Sequence, residues 1–297
     1  MGYDVVGIGV ASLDLIGVAA AEPQLGAKQQ LAGWVEMGGG PVPNALAAVA
    51  SLGGRAAMLG AVGNDSYGTR ILAGLRAVGV DTSAMQVRPG SSHVAFILAE
   101  PGRDRRTVFW HNDPGVLAGL TLDRALISSA RALALDTHAP AAGLEAARWI
   151  HASGGLVMID ADRVRPGTLE LLPHCDLLVV SERFGREVSG EAEPGAAAVA
   201  LQARFGRMSI VTCGAAGSWC AHGGECFHTP AFPVEPVDTT GAGDIFHGAL
   251  LFAVLRGDEA RRAVRFASAA AAISCTAPGG RGRLPTLAEV EVLLAGA

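Results

Sequence analysis

The chain has 297 residues, with 23 basic and 28 acidic side chains, a net charge of −5 and an isoelectric point near 5.9. That balance argues against nucleic acid or an anionic membrane surface as partner. Half of the residues are hydrophobic and 17% are charged, which suits a compact soluble enzyme built as one large α/β domain or two small ones.

The longest uncharged helical run, residues 245–255, is too short to cross a bilayer. The opening MGYDVVGIGV has no basic segment ahead of its apolar stretch, so it reads as a strand and not as a signal peptide. Five cysteines, an odd number with no CxxC pair, suggest reduced thiols and a cytoplasmic location.

Residues 3–9 form a short apolar strand, followed by Val10-Ala11-Ser12-Leu13-Asp14-Leu15. Gly7-x-Gly9-x-x-Ser12 has the outline of a dinucleotide fingerprint, which requires a helix directly after the glycines and an acid about twenty residues on. The stretch that follows holds a proline, scattered glycines and no 3.6-residue periodicity, so the dinucleotide reading is rejected in favour of loops and short strands. Gly38-Gly39-Gly40-Pro41-Val42-Pro43-Asn44 then leads into an alanine-rich helix over 43–52, stopped by Gly53-Gly54. A strand over 56–62, the loop Gly63-Asn64-Asp65-Ser66-Tyr67-Gly68 and a helix to about Val78 complete a βαβα pattern.

Residues 86–110 break that rhythm. Residues 93–98 and 105–110 read as two strands around the turn Pro101-Gly102-Arg103-Asp104. Beyond Leu133 the alternation is regular, with strands over 132–135, 156–159, 177–180 and 208–212. They end in Asp136-Thr137-His138, Asp160-Ala161-Asp162-Arg163, Ser181-Glu182-Arg183-Phe184 and Cys213-Gly214-Ala215-Ala216-Gly217. Polar residues at the carboxyl ends of successive strands mark where an open parallel sheet binds ligands. Cys220, His222, Cys226 and His228 flank a Gly223-Gly224 turn, and four metal ligands could converge there on a hairpin. Their spacing matches no zinc pattern, and an ordinary hairpin is the simpler reading.

Residues 237–255, VDTTGAGDIFHGALLFAVL, put a glycine-rich turn directly before a long apolar helix, with Asp244 at the joint. Gly241 and Gly243 let backbone approach a ligand closely. The first N–H groups of the helix have no internal partners and lie at its positive end, a ready site for phosphate. An acid beside phosphate is costly unless it takes the proton of a hydroxyl attacking that phosphate. The plainer alternative is a turn and cap, with Asp244 well placed in the first helical turn. A second helix over 259–274 and the loop 275–285, CTAPGGRGRLP, close the chain's last segment.

The GGxxxN run ending at Asn44, the VGNDxxG loop, Thr212-x-Gly214-x-x-Gly217 and Asp238-Thr239-Thr240-Gly241-Ala242-Gly243-Asp244 occur in order, and with them the chain resembles the ribokinase-like (PfkB) carbohydrate kinases from end to end. The resemblance implies a three-layer α/β/α domain around a mostly parallel sheet, formed by residues 1–15, 37–85 and 111–297. Residues 16–36 and 86–110 would form a small β-sheet lid over a sugar. It further implies transfer of the γ-phosphoryl group of Mg-ATP to a hydroxyl of a small carbohydrate, with Asp244 as base and Gly241, Ala242 and Gly243 as the anion hole. Asp14, Gly39, Gly40 and Asn44 would hold the sugar, with Lys28, Asn112 and His138 facing substrate near the lid or its hinge. Ser181, Thr212, Gly214, Gly217, Thr239, Pro278 and Gly279 would lie along ATP, and Asp238 and Gly279 would border a monovalent cation such as potassium.

One departure stands out. Many relatives carry NxxE where this chain has Ser181 and Phe184, leaving Glu182 to place magnesium through water, with Glu187 nearby. FHGAL and CTAPGGRGRLP are most similar to the ketohexokinase and sulfofructose kinase branch. His138 stands where a sulfosugar site would carry arginine, so a neutral ketose is preferred. Lys28 is not preceded by GxxxxG, which removes a Walker A reading. Two alternatives remain: a nucleoside kinase, which would need stacking rings such as Trp34, Phe96, Phe109 and Trp110, and a sugar-sensing relative without turnover. Exposed lid strands often pair with a second lid, so a homodimer is expected.

Overall fold

The computed structural model describes residues 2–24, 26–100 and 105–296; the turn expected at 101–104 lies outside them. Among the described residues the strands, in chain order, are β1 (Val5–Ile8), β2 (Ser12–Ala19), β3 (Leu31–Gly39), β4 (Ala56–Gly63), β5 (Met85–Arg88), β6 (His93–Glu100) and β7 (Arg105–His111). They continue with β8 (Ala132–Leu135), β9 (Leu156–Ala161), β10 (Leu177–Ser181), β11 (Met208–Thr212), β12 (Ser218–His222) and β13 (Glu225–Thr229).

Nine strands form one sheet in the order β13-β12-β11-β10-β9-β8-β1-β4-β5. Neighbours from β5 to β11 run parallel, and β12 and β13 add an antiparallel hairpin at one edge. The strands β1, β4 and β8 carry no polar side chain because helices cover both faces. Alternate residues therefore serve different cores. Val5, Met58, Ala134 and Val179 meet Leu46, Leu250 and Phe266 from the helices Pro41–Ser51, Ala242–Arg256 and Ala260–Ser274. Val6, Leu59, Leu133 and Ile159 meet Ile150, Leu171 and Phe184 on the other side. The result is a three-layer α/β/α body. Truncating a ring as buried as Phe266 would cost about 3–5 kcal/mol.

The remaining four strands form a separate sheet, β3-β2-β6-β7, with β2 and β6 parallel and the outer pairs antiparallel. Register settles which side chains share a face. Asp14 pairs with Met37 and Ala95, and Ala95 with Trp110, so these share the face carrying the small Ile16, Ala95 and Ile97 core. Leu15, Phe96 and Phe109 are partners on the opposite face, and Trp34 joins them across from Gly17.

This small sheet also takes in residues 12–15, 37–39 and 111, beyond the bounds expected for the lid. Asp14, expected within the core segment 1–15, therefore stands on a strand of the small sheet. The helix after β3 begins at Pro41, two residues early, with proline at its first turn where no donor is lost. The Cys220/His222/Cys226/His228 cluster does not converge. Cys220 pairs with Phe227 and Cys226 with Ala221, which places Cys220 and His222 on one face and Cys226 and His228 on the other. None of the described helices is long and apolar enough to cross a membrane.

Candidate active site

Asp244 is the third residue of the helix Ala242–Arg256, which begins without a side-chain cap. Gly241 precedes it at φ 75°, and a Cβ there would stand 2.5 Å from the Gly280 Cα. Only glycine lets the turn lie this close to the C-terminal loop. The Ala242 amide donates to the Thr239 carbonyl at 3.2 Å, so the turn itself occupies one of the three expected anion-binding amides. The amides of Gly241 and Gly243 have no acceptor among the described contacts.

Asp244 is half-buried, with Asp14, Asp160 and His247 close enough to act on its charge. Its Oδ2 accepts from Asn44 Nδ2 at 2.7 Å. Asn44 Oδ1 in turn accepts from Arg281 Nε at 2.7 Å, and Arg281 Nη2 lies 3.4 Å from the Gly39 carbonyl. Asp14 is buried and accepts from Ser12 Oγ at 2.9 Å, with the Gly39 backbone pressed so close that a Cβ would meet its carboxylate at 2.2 Å. The structure thus joins Asp14, Gly39, Asn44 and Asp244 in one cleft, with Gly40 leading into the Asn44 helix.

Burial, and then the carboxylate of Asp160, push Asp244 up to about 7 against the Asn44 hydrogen bond and the neighbouring His247. Asp160 is itself raised, by burial and by Asp136 and Asp162. Burial works against ionisation of Asp136, but hydrogen bonds from His138 and from the Val10 N–H at 2.8 Å outweigh it and hold that carboxyl below its usual range. His138 is tied down by its own N–H donating to Asp136 Oδ1 at 2.8 Å, and its ring meets His93 edge-on at 6.4 Å. His93 stacks on Trp110 at 5.8 Å, and burial followed by His138 pushes it down to about 4, so it is neutral at pH 7. This chain of rings links the lid to the end of β8.

On the other side of Asp244, Ser181 and Thr212 are cross-strand partners. Ser181 Oγ accepts from the Phe184 N–H and caps the helix Glu182–Ser189, while Thr212 Oγ1 donates to the Val180 carbonyl. Gly214 opens a short 3₁₀ turn that Gly217 closes through its N–H to the Gly214 carbonyl. Thr239 and Pro278 are exposed, and Gly279 is buried. Asp238 staples these loops together: Oδ1 accepts from the Thr240 N–H and hydroxyl, and Oδ2 from the Gly279 N–H at 2.8 Å.

Glu182 is engaged with Arg186 at 2.9 Å. Lys28 is exposed on the connection between β2 and β3, and Asn112 is half-buried just after β7; no described contact ties either to the cleft. Among the described residues no group of three His, Cys, Asp or Glu side chains could hold a metal. Asp238 already spends both oxygens on donors, so it is a poor direct cation ligand, and a potassium ion there would rely on backbone carbonyls. Sequence reasoning missed Arg281, Asp136, Asp160, His93 and His247. The aspartates were visible as polar strand ends, and Arg281 stood in the loop 275–285 without a role assigned to it.

This architecture is shared with solved structures. A protein from Agrobacterium tumefaciens, provisionally called a ribokinase, superposes with a TM-score of 0.94 at 32% identity, over 100% of this chain and 98% of that one. The ribokinase of Thermotoga maritima superposes with a TM-score of 0.83 at 26% identity, covering 99% of each chain. The ribokinase of Bacillus subtilis is 31% identical over 292 residues, 97% of this chain and 98% of its own length. Fructokinase-1 of Zea mays is 29% identical over 286 residues, 86% of this chain and 88% of its own length. The family model described as pfkB family carbohydrate kinase matches residues 4–287, and the chain belongs to that family. Its members are phosphotransferases with an alcohol group as acceptor.

Proposed function

We propose that the chain is an ATP-dependent sugar kinase whose acceptor is a small ketose, with Asp244 as the base. The observation that carries this reading is a partly open carboxylate in the first turn of a helix whose leading glycine amides are unengaged, bonded to Asn44 and facing Asp14. A sugar hydroxyl held by Asp14 and Asn44 would give its proton to Asp244 as its oxygen bonds to the γ-phosphorus and the bond to the ADP oxygen breaks. The Gly241 and Gly243 N–H groups would take up charge on the moving phosphoryl group. A base raised to about 7 accepts a proton readily yet is ionised in good part at neutral pH. Positioning and charge stabilisation supply the rest.

Magnesium carried on the ATP phosphates would neutralise their charge, and Glu182 would approach it through water on releasing Arg186. The ribokinase and fructokinase relatives support a sugar as acceptor, and the FHGAL and CTAPGGRGRLP wording supports a ketose. Of the four rings weighed for a nucleobase, Trp34, Phe96 and Phe109 lie on the outer lid face, and one ring cannot sandwich a base. That outer face, with Trp34 53% and Phe109 60% exposed, supports a homodimer formed through the lid.

The test is an ADP-release assay across fructose, other ketoses, ribose, sulfofructose and nucleosides. A ketose is expected to give the highest kcat/KM. Preference for a nucleoside would replace the acceptor, and no sugar-dependent ADP release would leave a sugar-sensing protein.

A further inference from the structure

Arg281 belongs to none of the binding groups drawn from the motifs, yet it is enclosed at the centre of the cleft. Its Nε donates to Asn44 Oδ1 at 2.7 Å, and its Nη1 is buried with no hydrogen-bond partner. A Cβ on Gly38 would stand 2.1 Å from that Nη1, so the glycine run before the Asn44 helix makes room for this guanidinium. Burial pushes Arg281 down to about 10, opposed by Asp14 and Asp244, so it keeps its charge at neutral pH.

The carboxamide of asparagine has nearly the same shape either way round but opposite hydrogen-bonding sense at its two ends. A guanidinium has donors only. With Arg281 on one end, that end must be the oxygen, and the amide nitrogen is then the group turned to Asp244, where it lies 2.7 Å from Oδ2. We propose that Arg281 is a positioning residue: it locks the Asn44 amide so that Asp244 always meets a donor, which fixes one carboxylate oxygen and leaves the other for the acceptor hydroxyl. The inference rests on the reading of Asp244 as base.

The surroundings show why such a lock is needed. Asp160 from β9 and Asp14 from β2 press on the Asp244 charge, while Asn44 and His247, the latter on Asp244's own helix, ease it. Arg281 comes in from the C-terminal loop. An Asn44 amide free to flip would turn its oxygen toward a carboxylate already crowded by two others.

The experiment is a double-mutant cycle with Arg281→Met, which removes the donor at similar length, in wild-type and Asn44→Ala backgrounds, alongside Arg281→Lys. Arg281→Met is expected to lower kcat by about tenfold or more while the KM for ATP stays within about twofold. Arg281→Lys, which keeps a donor and the charge, is expected to recover most of that loss. On the Asn44→Ala background the methionine substitution is expected to add less than about twofold. Should Arg281→Met not fold, Arg281→Leu, which also has no donor, takes its place in the cycle.

A second readout needs no turnover. The chain has three asparagines, Asn44, Asn64 and Asn112, so ¹⁵N-asparagine labelling yields three side-chain amide pairs. The Asn44 pair should shift and broaden in Arg281→Met and stay put in Arg281→Lys. Additive losses in the cycle, or an Asn44 pair unmoved in Arg281→Met, overturn the proposal. If the wild-type protein phosphorylates no sugar, the proposed function falls, and the amide spectrum still decides whether Arg281 locks Asn44.

Discussion

Replacing Asp244 by asparagine is expected to remove turnover and at the same time stabilise the protein. The carboxyl is raised from 3.8 to about 7 in the folded state, chiefly by burial and by Asp160. A native state that holds this proton more tightly than the unfolded chain loses stability as pH rises from about 4 through 7. The full shift of roughly three units would correspond to about 4 kcal/mol. Because Asp244 is only half-buried, about half of that is a fairer magnitude, roughly 2 kcal/mol at pH 8. Asparagine carries no charge and can still accept from Asn44, so Asp244→Asn should melt higher by about 3 °C at pH 8. The gap should shrink by more than half at pH 5 and close below pH 4. Loss of the base should lower kcat by about a thousandfold, while calorimetry finds ATP affinity nearly unchanged. Scanning calorimetry across pH, paired with the ADP-release assay, checks both halves. A variant that keeps turnover within tenfold, or that melts lower at pH 8, refutes the reasoning.

For the wild-type enzyme, kcat/KM should rise with pH along an acid limb near 7; in Asp160→Asn that limb should move to lower pH, because a like charge facing the base is gone, and a pH–rate profile that stays put counts against the pairing. Gly241→Ala forces a side chain into a left-handed turn and against the Gly280 backbone, so a loss of about 1–2 kcal/mol in stability and at least tenfold in kcat is expected from melting and initial-rate measurements. Phe109→Lys puts charge on the outer lid face and should turn a dimer into a monomer in sedimentation velocity, with kcat read in parallel; a wild-type monomer sinks the dimer.

Much of the core was legible because it is local. The strands β8, β9 and β10 end at the polar residues Asp136, Asp160 and Ser181, and Gly53-Gly54 follow the helix Pro41–Ser51. The glycine-rich turn at 238–244 was legible for the same reason, being seven consecutive residues. What escaped was set by pairing across distance. Asp14 was expected within the core segment 1–15, but β2 pairs with β6, some eighty residues on, and carries the acid into the small sheet. Arg281 meets Asn44 across 237 residues, and no spacing rule reaches so far. The cysteine–histidine hairpin is the ordinary one preferred from its spacing; alternation along each strand leaves the register between strands open, and the observed register sends the two pairs apart. The Asp238 carboxylate shows the same limit, since its donors come from a loop about forty residues downstream.

Asp14 rides on β2, and Gly39 is the last residue of β3 before the chain turns into the core. A guest that grips both is holding the cover of its own container. If Asp14 and Gly39 hold the acceptor as proposed, occupancy would pull on the small sheet and the core at once. The same linkage makes each substitution in those two strands a change of gate as well as of grip.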